Sequence, residues 1–210
     1  MTQTLAANEA TLGDLRDRFG LARATDTAFF PEWDISDSAL TAVEKQALDR
    51  VQKNYLSQLE AQSMNEETVK MVVVAPLLDI AGFYRLPFTI DSEVSVEISA
   101  TDESGTLVTG RIDTLILQGQ LWILVVESKR TRFSVQAAIP QALAYLLARP
   151  QPEQPGFALI TNGGEFLLIK LQGRDRPVYE FSVTFSLLNR GNDLYRILSV
   201  LKELGRSLGS

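Results

Sequence analysis

The sequence predicts an α/β fold, with helices packed around a mixed sheet, and three observations carry that expectation. The hydrophobic period switches along the chain between the helical value of about 3.6 and the strand value of about two. Two stretches, RIDTLIL and LWILVVESK, are apolar over several consecutive residues, as in strands covered on both faces. The elements follow the order helix, three strands, helix, two strands, helix, which suits an α/β/α sandwich around a central mixed five-stranded sheet.

Each element has its own local justification. Residues 1–38 are polar and acidic, with a short helical pattern over 12–19, and read as an arm docked through Phe29, Phe30 and Trp33. Residues 39–210 read as the main domain. Within 40–62, Leu40, Val43, Ala47, Leu48, Val51, Tyr55 and Leu59 recur at helical spacing. A second helix is expected over 65–81. Asn65 suits the N-cap, Glu66 and Glu67 sit where the helix dipole favours anions, and Gly82 stops it. Pro76 implies a kink or a break there. Val94, Val96 and Ile98 alternate with polar residues, the mark of a half-exposed strand. Residues 110–129 form a hairpin around Gln118, Gly119 and Gln120. A third helix spans 134–148, perturbed by Pro140. Strands over 157–161 and 166–171 flank an Asn-Gly-Gly turn, and an amphipathic helix follows over 192–208.

Composition narrows the chemistry. Of the 210 residues, 45% are hydrophobic and 22% charged, a balance that fits an ordinary soluble globular protein. The start has neither the basic nor the apolar region of a secretory signal. The longest apolar run, 71–80, is interrupted by Asp79 and too short for a membrane span, so a cytoplasmic protein without membrane association is the expectation. The chain has no Cys and no His. Disulfides, thiolate nucleophiles and Cys-based zinc sites are thereby excluded, as is the commonest general base. What remains is carboxylate, Lys, Tyr or Ser chemistry, or a hard cation such as Mg²⁺ or Mn²⁺ held by oxygens. No Walker segment appears, so there is no sign of an ATP site. The net charge of −6 argues against a protein that simply coats DNA. It is uneven, however. Residues 1–110 hold 8 Lys/Arg and 18 Asp/Glu, whereas residues 111–210 hold 12 and 8, a basic half compatible with a polyanion on one face.

The chemistry concentrates in the hairpin. Glu127 and Lys129 are two apart on one strand and leave the same face, while Asp113 lies on the neighbouring strand. A three-residue turn at 118–120 sets Asp113 opposite Val125 and diagonal to Glu127, with backbones about 7–8 Å apart. A two-residue turn at Gly119 and Gln120 shifts the register by one and sends the carboxylates to opposite faces. The plain alternative is a salt-bridged hairpin end. Against it, unpaired ions at a covered sheet face are expensive, and converging carboxylates repel unless a cation joins them. Gln141 and Tyr145, four apart on the next helix, share one face.

These residues resemble a known family. Asp113, followed after thirteen residues by Glu127-Ser128-Lys129, is similar to the PD-(D/E)xK nuclease motif. Gln141-Ala-Leu-Ala-Tyr145 resembles the QxxxY element of the nuclease domains in type I restriction-enzyme R subunits. Upstream, NEETVKMVVVAPLLDIAGF resembles the helix that opens those domains. The likeness covers roughly residues 65–171. Ile112 stands where the motif often has Pro, and no helicase motor accompanies the site in this sequence.

The resemblance implies a restriction-endonuclease-like fold and Mg²⁺- or Mn²⁺-assisted hydrolysis of DNA phosphodiesters. Restriction–modification subunits or a second copy of the chain are the protein partners it suggests. Asp113 and Glu127 are expected to hold the metal with the Ser128 carbonyl, and Lys129 to orient water and stabilise charge on the phosphate. Glu67 is expected to reach the metal through water or to support its ligands, with Glu66 as the other choice. Gln141 and Tyr145 are expected to touch the phosphate backbone or to lock Lys129. Arg130 and Arg132 suit phosphate contacts. Two other readings stay open at this stage: a silent nuclease-fold module that binds DNA or a partner subunit, and a non-nuclease binding domain with a coincidental Glu-Ser-Lys.

Overall fold

The computed structural model describes residues 4–33, 40–99 and 107–208. The expected α/β architecture is present, but the sheet is larger than five strands. Among the described residues nine strands form one sheet in the order β1 (Thr4–Ala6), β4 (Leu107–Gln118), β5 (Leu121–Ser128), β6 (Gly156–Thr161), β7 (Glu165–Gln172), β8 (Val178–Phe181) and β2 (Ala22–Arg23), with β3 (Phe88–Ser99) added to β4 and β9 (Phe185–Ser186) added to β7. The five expected strands are β3 (Phe88–Ser99), β4 (Leu107–Gln118), β5 (Leu121–Ser128), β6 (Gly156–Thr161) and β7 (Glu165–Gln172). They are neighbours in that order, antiparallel except for the parallel β5–β6 pair. The additions are β1 (Thr4–Ala6), β2 (Ala22–Arg23), β8 (Val178–Phe181) and β9 (Phe185–Ser186). All four are two to four residues long, too short to show an alternation in sequence.

Helices cover both faces. Helices α2 (Ala42–Ala61), α4 (Ala75–Ala81) and α6 (Leu194–Leu208) pack with one another on one side, over Ile116, Leu124, Val126 and Leu159. Helices α1 (Leu12–Phe19) and α5 (Ile139–Leu147) cover the other, over Leu115, Val125, Ile160 and Ile169. Leu48, Val51 and Tyr55 bury the predicted stripe of α2, while Val43 is 76% exposed on its outer side.

The segment expected to be an arm is woven into this sheet as far as it is described; its residues 1–3 and 34–38 lie outside the described ones. β1 runs parallel to β4 and β2 parallel to β8, with α1 between them capped by Thr11 and Asp14. Phe30 is buried, Phe29 and Trp33 pack against the same core, and Glu32 meets the buried Lys170 at 2.7 Å.

Two prolines redirect their helices without breaking them. Asn65 caps the short helix α3 (Glu66–Val69), its side chain accepting the Thr68 N–H at 2.8 Å. The helix continues through a π-turn over Lys70–Val74 into α4, whose first turn holds Pro76. Proline has no N–H to give to the preceding turn, and the widened turn closes instead through Ala75 N–H to the Lys70 carbonyl. Pro140 likewise sits in the first turn of α5, after a 3₁₀ stretch over Val135–Ala138, where its missing N–H is harmless.

The hairpin between β4 and β5 settles the question of faces by a route the turn alone does not show. Gln118 pairs with Leu121, so the loop is the two-residue Gly119–Gln120 turn, with Gly119 left-handed at φ 61°. That register would separate the carboxylates. One step later the pairing slips: Leu117 faces Trp122, but Ile116 faces Leu124, leaving Ile123 as a bulge. The extra residue restores the parity that the short turn removed. Val125 and Leu115 therefore share the α5 side, and Glu127 follows two residues after Val125.

A second irregularity bends the outer ribbon. In β3, Phe88 and Ile90 pack toward the α2 side, whereas Val94, Val96 and Ile98 pack toward α5. In β4, Ile116 lies on the first side and Ile112 on the second. The change of face falls between the Ser92–Thr114 and Val94–Ile112 pairs, at Glu93 and Asp113. Glu93 is left-handed there, at φ 57°. Beyond this point the ribbon curls over α5 and walls a cleft.

Candidate functional site

Asp113 and Glu127 stand at the end of the β4–β5 ladder. Regular pairing ends at Thr114 and Val126, and one step further the Asp113 side chain replaces backbone, with Oδ2 accepting the Ser128 N–H at 2.7 Å. Glu127 is only 1% exposed. Its Oε1 accepts from Lys129 Nζ at 2.5 Å, and the Lys129 backbone is pinned by its N–H to the Thr161 carbonyl at 2.7 Å. Glu127 Oε2 is buried with no hydrogen-bond partner among the described residues. Ser128 Oγ lacks one too, but by alternation it leaves the opposite face, so only its backbone can serve this site.

The electrostatics are those of a buried carboxylate whose charge Lys129 meets on one oxygen only. Burial pushes the Glu127 carboxyl up to about 7, and repulsion from Asp113 and Glu66 adds to this against the pull of Lys129. An orphaned, buried carboxylate oxygen costs on the order of 1–3 kcal/mol, so its persistence calls for an explanation.

The start of α3 hangs over this pair. The Thr131 N–H donates to the Met64 carbonyl at 3.1 Å and Met64 N–H to Thr131 Oγ1 at 3.2 Å, fastening the loop after β5 to the residue before Asn65. The helix then turns Glu66, the alternative acid, toward Glu127 and into the cleft. Glu67 points to solvent, 75% exposed, and binds Lys70 at 3.0 Å. Lys70 in turn lies 3.5 Å from Asp113 Oδ1 and 3.5 Å from Glu93 Oε1.

Gln141 and Tyr145 do come together, though not on Lys129. Gln141 Nε2 donates to Tyr145 Oη at 2.6 Å, and Tyr145 Oη donates to the Arg111 carbonyl at 2.9 Å. The pair thus clamps β4 two residues before Asp113. Burial, followed by repulsion from Glu127, pushes the Tyr145 hydroxyl up to about 12, so it stays a donor. Gly110 makes the clamp fit: a Cβ there would stand 2.6 Å from Tyr145 Cε1.

A cleft of about 710 Å³ opens between this clamp and the curled ribbon, lined among others by Glu66, Arg111, Lys129, Gln141 and Tyr145. Asp113 and Glu127 are not in that lining. Their side chains are 15% and 1% exposed, set beneath it with Lys129 as the lid of Glu127. Arg130 and Arg132 are exposed just beyond, without an ion pair among the described residues.

The donor set fits some metals and not others. Among the described residues no three acidic side chains converge as a ready cage. Two carboxylates, each with an oxygen free of hydrogen bonds, plus the Ser128 carbonyl, suit Mg²⁺ or Mn²⁺, which keep several waters and commonly use one or two carboxylates. They do not suit a zinc or calcium cage.

Sequence reasoning passed over Lys70, Glu93 and Arg111. Lys70 carried a signal, since it follows Glu66 by four and Glu67 by three on one helix. Arg111 carried one too, two residues before Asp113 on one strand, whereas Glu93 carried none, because only the β3–β4 register brings it beside Asp113.

No protein-family profile matches this chain, and no curated protein does. Among solved structures it is similar to a fragment assigned as an HsdR subunit of a type I restriction enzyme from Vibrio vulnificus YJ016. The identity is 24% and the TM-score 0.40, over 60% of this chain and 24% of that one. That overlap is loose. Among the described residues no helix is long and apolar enough to cross a membrane.

Proposed function

We propose that this chain is a metal-dependent deoxyribonuclease module of the PD-(D/E)xK type, hydrolysing DNA phosphodiester bonds at Asp113, Glu127 and Lys129. One observation carries the reading: the buried, partnerless Glu127 Oε2, beside Asp113 and facing the acid Glu66, a charge that Lys129 meets on the other oxygen only and that a bound cation would relieve. Asp113, Glu127 and the Ser128 carbonyl would hold Mg²⁺ or Mn²⁺, which supplies Lewis-acid polarisation of a phosphate and an acidified water. The remaining work belongs to the chain. Lys129 orients the attacking water and stabilises charge developing on the phosphate. Gln141 and Tyr145 hold β4 so that Asp113 keeps its place. Arg130 and Arg132 meet the DNA backbone outside the cleft. Partners of the restriction–modification kind, or a second copy, follow only from the sequence resemblance.

A second reading has an observation of its own. Each carboxylate already has a lysine, Glu127 with Lys129 and Asp113 with Lys70, so the site could be charge-balanced and silent. Calorimetric titration with Mn²⁺ beside nicking of supercoiled plasmid separates the two. The nuclease reading expects wild type to bind and nick, and Asp113→Ala to lose both. Lys129→Ala should keep the metal and lose about 10²–10³ in rate. Wild-type protein that neither binds Mn²⁺ nor nicks DNA leaves the silent module.

A further inference from the structure

Lys70 is a cation in direct reach of Asp113 that the proposed chemistry does not use. Its side chain is 18% exposed and stands among three carboxylates, at 3.0 Å from Glu67, 3.5 Å from Glu93 and 3.5 Å from Asp113. These contacts are unequal. Glu67 receives a close hydrogen bond, whereas the ammonium meets Asp113 Oδ1 only at long range. Asp113 Oδ2 is committed to the Ser128 N–H, so Oδ1 is the oxygen left for a metal.

The alternative berth is already built. Glu67 lies one turn before Lys70 on the same helix, at the mouth of the π-turn that Lys70 opens. Glu93 is held by Arg111 Nε on its other oxygen at 2.8 Å, and its left-handed backbone brings it to the Asp113 end of the ribbon. A divalent cation and an ammonium repel at contact range, so each weakens the other's hold on one carboxylate oxygen.

We propose that Lys70 is an exchangeable counter-ion for Asp113: shared among three carboxylates in the metal-free protein, it gives up its long contact to Asp113 when a divalent cation binds there and stays on Glu67 and Glu93, which it already touches. The inference rests on the metal-site reading above. It also gives Glu67 a role, as holder of the displaced lysine rather than as a ligand.

The test is calorimetric titration of the EDTA-stripped full chain with Mn²⁺ alone, at one pH, on four proteins. Lys70→Gln removes the competitor and should tighten Mn²⁺ binding about tenfold, equivalent to about 1.4 kcal/mol. Lys70→Arg keeps the charge and should stay near wild type. Glu67→Gln is a change at a 75% exposed side chain, so folding is not at risk. It weakens the berth and should loosen Mn²⁺ binding about two- to fivefold, the range of an exposed ion pair. Wild type that binds Mn²⁺ while Lys70→Gln binds no more tightly would overturn the exchange and leave the metal site standing. Lys70→Arg tightening as much as Lys70→Gln would overturn it as well. Wild type without Mn²⁺ binding would remove the metal site itself, and the exchange with it.

Discussion

At Glu127 two requirements conflict: the side chain is buried like a core residue and charged like a surface one. Its carboxyl is pushed up to about 7 by burial and by Asp113. Between the ordinary value of 4.5 and about 7, the folded chain therefore binds a proton that the unfolded chain does not. Stability from this group rises as pH falls through that window, and at higher pH the ionised form destabilises the fold by on the order of 3 kcal/mol. In EDTA, Glu127→Gln should therefore melt above wild type at pH 8, with the gap closing toward pH 4.5. Mg²⁺ at pH 8 should raise the wild-type melting temperature and leave Glu127→Gln unmoved. A gap that stays constant across pH, or Mg²⁺ stabilising both proteins alike, would count against Glu127 as the strained acid.

At the scale of elements, the site depends on how β4 is held between β5 and α5. Gly110 leaves room for the Tyr145 ring, and the Tyr145 hydroxyl satisfies the Arg111 carbonyl. A Cβ at position 110 would also meet Ala7 Cβ at 2.8 Å, so Gly110→Ala presses on the residue after β1 as well as on α5. It should destabilise the chain by about 1–3 kcal/mol in urea unfolding, the usual effect of overpacking. Tyr145→Phe keeps the ring and loses the hydrogen bonds, and should destabilise by about 1 kcal/mol. Elements of this kind were partly legible in the sequence. The helices α1, α2 and α5 and the hairpin showed their periodicity, and Gln141 and Tyr145 showed their shared face. Their partner did not, because a contact to the Arg111 carbonyl is fixed by sheet curvature rather than by spacing along the chain.

For the whole molecule, an acidic chain must meet a polyanion through a local surface. The excess of cations over residues 111–210 includes Lys129 in the lining of the cleft and the exposed Arg130 and Arg132 that follow it along the chain. DNA binding should therefore weaken steeply with salt despite the net charge of −6. Arg130→Ala and Arg132→Ala should each lower the slope of log affinity against log salt by about one, while Mn²⁺ titration stays as in wild type. Salt-independent binding, measured by fluorescence anisotropy, would assign the two arginines to another partner. The N-terminal segment belongs at this scale too. Through β1 and α1 it closes the α5 side of the sheet, so it forms part of the fold rather than an appendage.

Side-chain type and local period determined much by themselves. The absence of Cys and His restricted the chemistry to oxygens and lysines, and the alternation of strands put Glu127 and Lys129 on one face. The Asn65 cap and the Gly82 stop set the ends of the helix that carries Glu66. What those features could not decide was relative placement, because it depends on single-residue irregularities. The bulge at Ile123 reverses the parity set by the Gly119–Gln120 turn, and with it the side of the sheet on which Asp113 meets Glu127. The π-turn at Lys70–Val74 and the left-handed Glu93 bring Lys70 to Asp113. Each is one residue's worth of backbone, selected by long-range packing of helices and strands on both sheet faces, and local propensity is too weak to specify it.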